Sequence, residues 1–152
     1  MIPELEDGVL PEGIYVCTMD EIEQVFGRFQ RSDRRLRLTE KLRALVEEAR
    51  RSGVVAAVIV NGSYVTAKDE PGDIDVIVAL RPSFDRLGEL RPFEYNIQSQ
   101  RVLRQTYRFD VKVTMDGSDV HQEALAFLAV IRPNDPEQTT SRARKGLLRI
   151  EL

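Results

Sequence analysis

Apolar and polar positions alternate along the chain in a way that divides it into short helices and short strands. Thr18 with Glu21 three residues on makes a capping box. It opens a helix over 19–26 that carries Ile22, Val25 and Phe26 on one face and stops at Gly27. Ser32 or Asp33 opens a longer helix reaching Ser52. Its apolar stripe is Leu38, Leu42, Leu45, Val46 and Ala49, at spacings of three and four, and Gly53 ends it. The run VVAAVIV, 54–60, is continuous and rich in β-branched residues, which predicts a strand buried on both faces.

Residues 61–73 read as a loop with one helical turn, and IDVIVAL, 74–80, as a second strand closed by Arg81-Pro82. A helix is expected around 95–105. YRFDVKVTM, 107–115, alternates and predicts a third strand. Ser118 or Asp119 caps a helix to about Ile131, residues 133–141 form a polar loop, and the tail GLLRIEL closes as a strand. The first 17 residues, punctuated by Pro and Gly, read as an extended arm on a single domain spanning 1–152. The fold class this implies is α/β (α+β), a small mixed sheet flanked by helices.

Charge changes the picture only locally. Residues 1–27 hold seven acidic side chains and no Lys or Arg, whereas 28–51 hold nine Lys/Arg against four Asp/Glu. The basic stretch reads either as the solvated face of a helix, paired with the acidic N-terminus, or as a surface for phosphates or RNA. One cysteine, Cys17, excludes an internal disulfide and has no metal or redox partner in the sequence. The acidic N-terminus is unlike a signal peptide, and no apolar run nears the ~20 residues of a membrane span, so a cytoplasmic location is expected.

The candidate chemistry lies in Gly62-Ser63, nine intervening residues, and Asp73-Ile74-Asp75-Val76. Strand side chains alternate, so Asp73 and Asp75 share a face while Ile74 and Val76 enter the core. Two carboxylates on one face repel unless a cation compensates them, and Mg²⁺ takes one or two carboxylates plus phosphate oxygens. Gly62 lets a backbone approach a ligand closely, and the N–H groups of such a turn can cradle an anion. Asp110 shares a strand face with Lys112, opposite Phe109, Val111 and Val113. It is either the third carboxylate of the cluster or a solvated residue of an edge strand.

Together Gly62, Ser63, Asp73, Asp75 and Asp110 resemble the pattern of the nucleotidyltransferase superfamily over about residues 54–115. Asn61 stands where that pattern has an apolar residue, and the spacer is one residue shorter than in the minimal nucleotidyltransferases of toxin–antitoxin pairs. The wider chain is similar to a family of uncharacterised bacterial nucleotidyltransferase-like proteins, through Leu10–Gly13, Gly62–Asp75 and Lys145-Gly146. The resemblance implies a nucleotidyltransferase-like fold. It implies Mg²⁺-dependent transfer of a nucleoside monophosphate from a nucleoside triphosphate such as ATP to a hydroxyl of a protein, RNA or small molecule. Asp73 and Asp75 would hold two Mg²⁺ ions, Asp110 would hold one and act as base, and Gly62 and Ser63 would hold phosphates.

Lys68 in the spacer is a candidate for the triphosphate or a solvated loop residue. Arg142, Arg144 and Lys145 are phosphate or RNA contacts or a solvated tail. His121 reads as structural. A toxin–antitoxin or defence role, with a cognate partner or a homodimer, is one expectation. The alternative is a non-catalytic module that docks a protein or RNA partner through surface residues such as Arg34, Arg35 and Arg37. A sugar-nucleotide transferase is disfavoured, because it would not need the Gly62-Ser63 turn or Asp110.

Overall fold

Among the described residues five strands pair into one mixed sheet in the order β1-β5-β2-β3-β4. The computed structural model describes residues 1–27, 33–85, 88, 90–131 and 142–152. The strands are β1 (Ile14–Val16), β2 (Val55–Asn61), β3 (Asp75–Leu80), β4 (Asp110–Met115) and β5 (Leu147–Glu151). The helices are α1 (Met19–Phe26), α2 (Arg34–Ser52), α3 (Pro92–Gln98), α4 (Gln100–Tyr107) and α5 (Asp119–Leu128). β2 runs antiparallel to both β3 and β5; β3 and β4 are parallel, as are β1 and β5. No helix among the described residues is long and apolar enough to cross a membrane.

The N-caps Thr18 and Ser118 form where the sequence places them, though among the described residues Glu21 returns no bond to complete the capping box. Thr18 accepts from the Glu21 N–H at 3.1 Å, and Ser118 from the His121 N–H at 3.2 Å. Gly53 ends α2 at φ 71°, the left-handed region where a side chain is strained. Ser32 lies outside the described residues. Asp33 occupies the N-cap position without a side-chain capping bond and pairs instead with Arg37.

Several boundaries differ from the sequence reading. Residues 107–109 do not extend the third strand. α4 runs to Tyr107, and Arg108 at φ 62° reverses the chain, so β4 starts at Asp110. The Tyr107 ring then stacks near Phe109 at a centroid distance of 6.3 Å. The helix expected at 95–105 is two helices broken at Ser99. α5 stops at Leu128, and Val130 bridges back to Arg144. Residues 133–141, expected as a polar loop, lie outside the described residues. The arm is not a free extension: Val9 and Leu10 are buried, and β1 adds a parallel edge to the sheet.

The two sheet faces are covered unequally. Ile74, Val76, Val78 and Leu80 face the larger core, with Ile22, Phe26, Leu42, Val46, Ile97 and Leu103 from α1–α4. The smaller core on the other face joins Ile59, Ile77 and Leu147 to Ala124 and Leu125 of α5. A ten-residue helix is about 15 Å long, and five strands at about 4.8 Å spacing form a wider surface. Among the described residues α5 therefore covers only part of this face. Asp75 and Asp110, each the first residue of its strand, lie there.

Candidate functional site

Gly62 makes the sharp exit from β2. Its φ is 89°, and a Cβ at this position would lie 2.8 Å from the Asp75 nitrogen and 3.1 Å from Asp73 Oδ1. Only glycine lets the turn pack this closely on the strand it faces. The turn at Ser63–Val65 is tied to Asp73 at three points. The Ser63 N–H and Oγ–H both donate to Asp73 Oδ1, at 3.1 and 3.0 Å. The Tyr64 N–H donates to the Asp73 carbonyl at 3.1 Å. Ser63 Oγ also accepts from the Gly72 and Asp73 N–H groups. A phosphate at this turn would have to compete with Asp73 for both Ser63 donors.

From the other side α2 clamps the same loop. The Arg35 guanidinium, fully buried, donates to the carbonyls of Phe26 (3.0 Å), Tyr64 (2.7 Å), Thr66 (2.8 Å) and Lys68 (3.1 Å), and lies over the Tyr64 ring. Burial pulls its acid constant down to about 10. Arg34 donates to the carbonyls of Pro71 and Gly72. Arg35 is thus no surface residue, contrary to the sequence reading, and Arg34 holds the loop as well. A signal was present: Arg35 extends the buried stripe Thr39, Leu42, Val46, Ala49 one turn toward the N-terminus. The solvated-face reading holds elsewhere in the basic stretch, where Arg43 pairs with Asp20 and Glu23 of α1.

The carboxylates come together by strand pairing. Asp75 is in register with Asp110 on the parallel neighbour, and with Asn61 on the antiparallel one. Residues directly opposite on adjacent strands share a face, so Asn61, Asp75 and Asp110 form one row across three strands. Two cavities border this row. One of about 390 Å³ lies between Asp75, Asp110, Lys112, Glu123, Phe127 and Leu128. The other, of about 180 Å³, includes Asn61, Asp73, Asp75, Asp110, Phe127 and Lys145. Asp110 is largely exposed on the edge strand and pairs with Arg104 at 3.4 Å. The edge-strand reading of Asp110 thus holds, and the register also sets Asp110 beside Asp75.

All three predicted carboxylates line the smaller cavity, and their hard oxygens suit Mg²⁺. They do not form a closed ligand set as they stand. Among the described residues no group of three or more His, Cys, Asp or Glu could hold a metal ion together. Asp73 lies just before the strand, with Oδ1 turned to Ser63. Lys68 lines neither cavity, and its carbonyl is held by Arg35. Lys145, read from sequence as a tail contact, lines the smaller cavity, and Lys112 the larger, whereas Arg142 and Arg144 pair with Glu6 and Glu12 of the arm.

Asn61, the departure from the expected motif, is 1% exposed. Its Nδ2 donates to the Gly146 carbonyl at 3.0 Å, and among the described residues its Oδ1 is buried without a hydrogen-bond partner. Such an orphan acceptor costs about 1–3 kcal/mol. Gly146 is fixed in turn, since a Cβ there would collide with the Pro11 carbonyl oxygen and the Tyr15 ring. Leu10–Gly13, Lys145-Gly146 and the Gly62–Asp75 segment, distant in sequence, are therefore one assembly.

Away from this row, His121 is structural as expected. It is buried, its Nδ1 bonds Thr114 Oγ1 at 2.8 Å, and its Nε2 faces Asp116 at 3.5 Å. Burial pulls its acid constant down, against the pull of Asp116 upward. Asp116 is held low chiefly by two hydrogen bonds from Arg149. Burial pushes the Cys17 thiol up to about 11, so it stays protonated and unreactive.

No curated protein and no solved structure matches the chain. Residues 3–151 match a family of unknown function, DUF6932, a span that takes in the arm, the Gly62–Asp75 segment and the closing strand alike, and the chain belongs to that family.

Proposed function

We propose that the chain is a Mg²⁺-dependent nucleotidyltransferase that moves a nucleoside monophosphate from a nucleoside triphosphate to an acceptor hydroxyl on a protein, an RNA or a small molecule, breaking the α–β phosphoanhydride bond and releasing pyrophosphate. The observation that carries this reading is the in-register pair Asp75–Asp110, with Asp73 alongside in a cavity on the sheet face that carries α5. A fold with no cation to bind has little reason to line one cavity with three carboxylates. Asp75 and Asp110 would hold the cation, and Asp73 would add the oxygen that Ser63 does not engage. Bound Mg²⁺ would neutralise phosphate charge and orient the attacking and leaving oxygens. Asp110, the most accessible carboxylate of the row, takes the proton of the acceptor hydroxyl. Lys145 offers its ammonium to the phosphates. The Gly62 turn and the two arginines behind it keep Asp73 and Asp75 in place. The larger cavity, with Phe127 and Leu128 on its wall, receives the acceptor.

The test incubates the protein with Mg²⁺, each α-labelled nucleoside triphosphate and cell extract. Label should pass to an acceptor, and Asp75→Asn with Asp110→Asn should abolish it. Label transfer that survives in the double variant would refute the reading. A toxin–antitoxin or defence role, with a cognate partner or a second copy of the chain, belongs to the same proposal and predicts a growth phenotype that the double variant loses.

The second reading, a non-catalytic docking module, has an observation in its favour. Asp73 and Asp110 already have protein partners in Ser63 and Arg104. On that reading partner affinity survives the Asp substitutions and falls with surface changes such as Arg37→Glu. Arg34 and Arg35 are unsuitable for that test, because both hold the loop.

A further inference from the structure

Asn61 ends β2 and is buried, yet it lines the same small cavity as Asp73, Asp75 and Asp110. The orientation of its amide is set by Gly146, whose carbonyl needs a donor. Turning the amide over would set Oδ1 against that carbonyl, two acceptors facing each other. Oδ1 is therefore turned away from Gly146; it is buried, and among the described residues it has no hydrogen-bond partner. The register places Asn61 in the row with Asp75 and Asp110. Three oxygen acceptors, two of them charged, stand side by side on neighbouring strands. A small hard cation is an occupant that all three can ligate together, and an amide oxygen is an ordinary ligand for one. The cavity, at about 180 Å³, also leaves room for the waters such an ion keeps.

The geometry points to Asn61 Oδ1 as a neutral oxygen ligand of a divalent-cation site that Asp75 and Asp110 complete. This deepens the nucleotidyl-transfer reading and rests on it for the class of ion. It also accounts for an amide at the end of a strand otherwise built of apolar residues. The Gly146 carbonyl orients the ligand, so the arm that packs on Gly146 supports the site from behind.

The experiment uses the full chain. Mn²⁺ binding is read from the loss of the free-ion paramagnetic resonance signal for the parent, Asn61→Leu, Asn61→Asp and the Asp75→Asn, Asp110→Asn double variant. Mg²⁺ is also titrated into parent protein labelled with ¹⁵N at Asn61, Asn96 and Asn134, the asparagines of the chain. The parent should bind Mn²⁺, and the double variant should lose it. Asn61→Leu should bind about tenfold more weakly or worse, and Asn61→Asp at least as tightly as the parent. The side-chain amide signal that Asn61→Asp removes should shift with Mg²⁺ while that of Asn96 stays. If the parent binds and the double variant does not, but Asn61→Leu matches the parent or the Asn61 amide stays still, the Asn61 inference fails alone. If the parent does not bind, or the double variant binds equally well, the inference and the carboxylate reading fail together. Should Asn61→Leu not fold, Asn61→Asp and the amide titration on the parent decide by the same criteria.

Discussion

Arg35→Met should be among the most damaging single changes in this protein, although it removes a residue from a run of surface-like charge. The side chain is fully buried, and its bonds to the Phe26, Tyr64 and Thr66 carbonyls lie away from solvent. A hydrogen bond to a charged donor contributes about 1.5–3 kcal/mol. Methionine fills similar volume but leaves those carbonyls without donors. Part of the loss is returned, because burying the guanidinium is itself unfavourable, as its acid constant near 10 reflects. The balance is about 3–5 kcal/mol, the usual cost of removing one partner from a buried charged network. That is a large share of the roughly 5–15 kcal/mol that stabilises an ordinary domain. Urea unfolding of parent and variant measures it. Arg35→Lys should lose about half as much, since one ammonium cannot reach the same four carbonyls with a planar fork. Amide hydrogen exchange should also quicken at Tyr64, whose N–H bonds the Asp73 carbonyl. A loss below about 1 kcal/mol for Arg35→Met, with Tyr64 exchange unchanged, would show that the loop stands without the clamp.

Gly62→Ala should lose about 2 kcal/mol or more in thermal unfolding, because the new Cβ meets the Asp75 nitrogen in a strained backbone; a stability equal to the parent's would mean the turn is free to move. Asp75→Asn should fold at least as well as the parent in metal-free buffer, since it relieves repulsion from Asp110, and should show less of the melting-temperature rise that Mg²⁺ with nucleoside triphosphate gives the parent. Equal rises would count against Asp75 as a ligand. His121 binds its proton less readily folded than unfolded, so its contribution is complete above its ordinary value of 6.5 and is lost as pH falls through the lowered folded value. His121→Gln should flatten that part of the slope in urea unfolding followed from about pH 7 to pH 5, and an unchanged slope would refute the assignment.

The sequence by itself determined the local elements and their faces. α1 ends where Gly27 stops its periodicity, α2 stops at Gly53, and the alternation in β3 and β4 turns Asp75 and Asp110 away from the larger core. These follow from side-chain period and capping, which act within a few residues. The strand boundary at Asp110 was less legible, because Tyr107 and Phe109 suit a strand as well as they suit the helix end and reversal that they form. Tertiary structure alone decided which strands lie side by side and in what register. That pairing made a row of Asn61, Asp75 and Asp110 from three separate segments. It also brought Lys145 rather than Lys68 to the cavity and seated the arm against Gly146. The burial of Arg35 was settled in the same way: nine basic residues share one stretch, and the loop folding back over α2, with the end of α1, supplies the carbonyls that make a buried guanidinium tolerable at one of them. Periodicity tells each segment which side to bury; the partner it meets there depends on contacts between residues tens of positions apart.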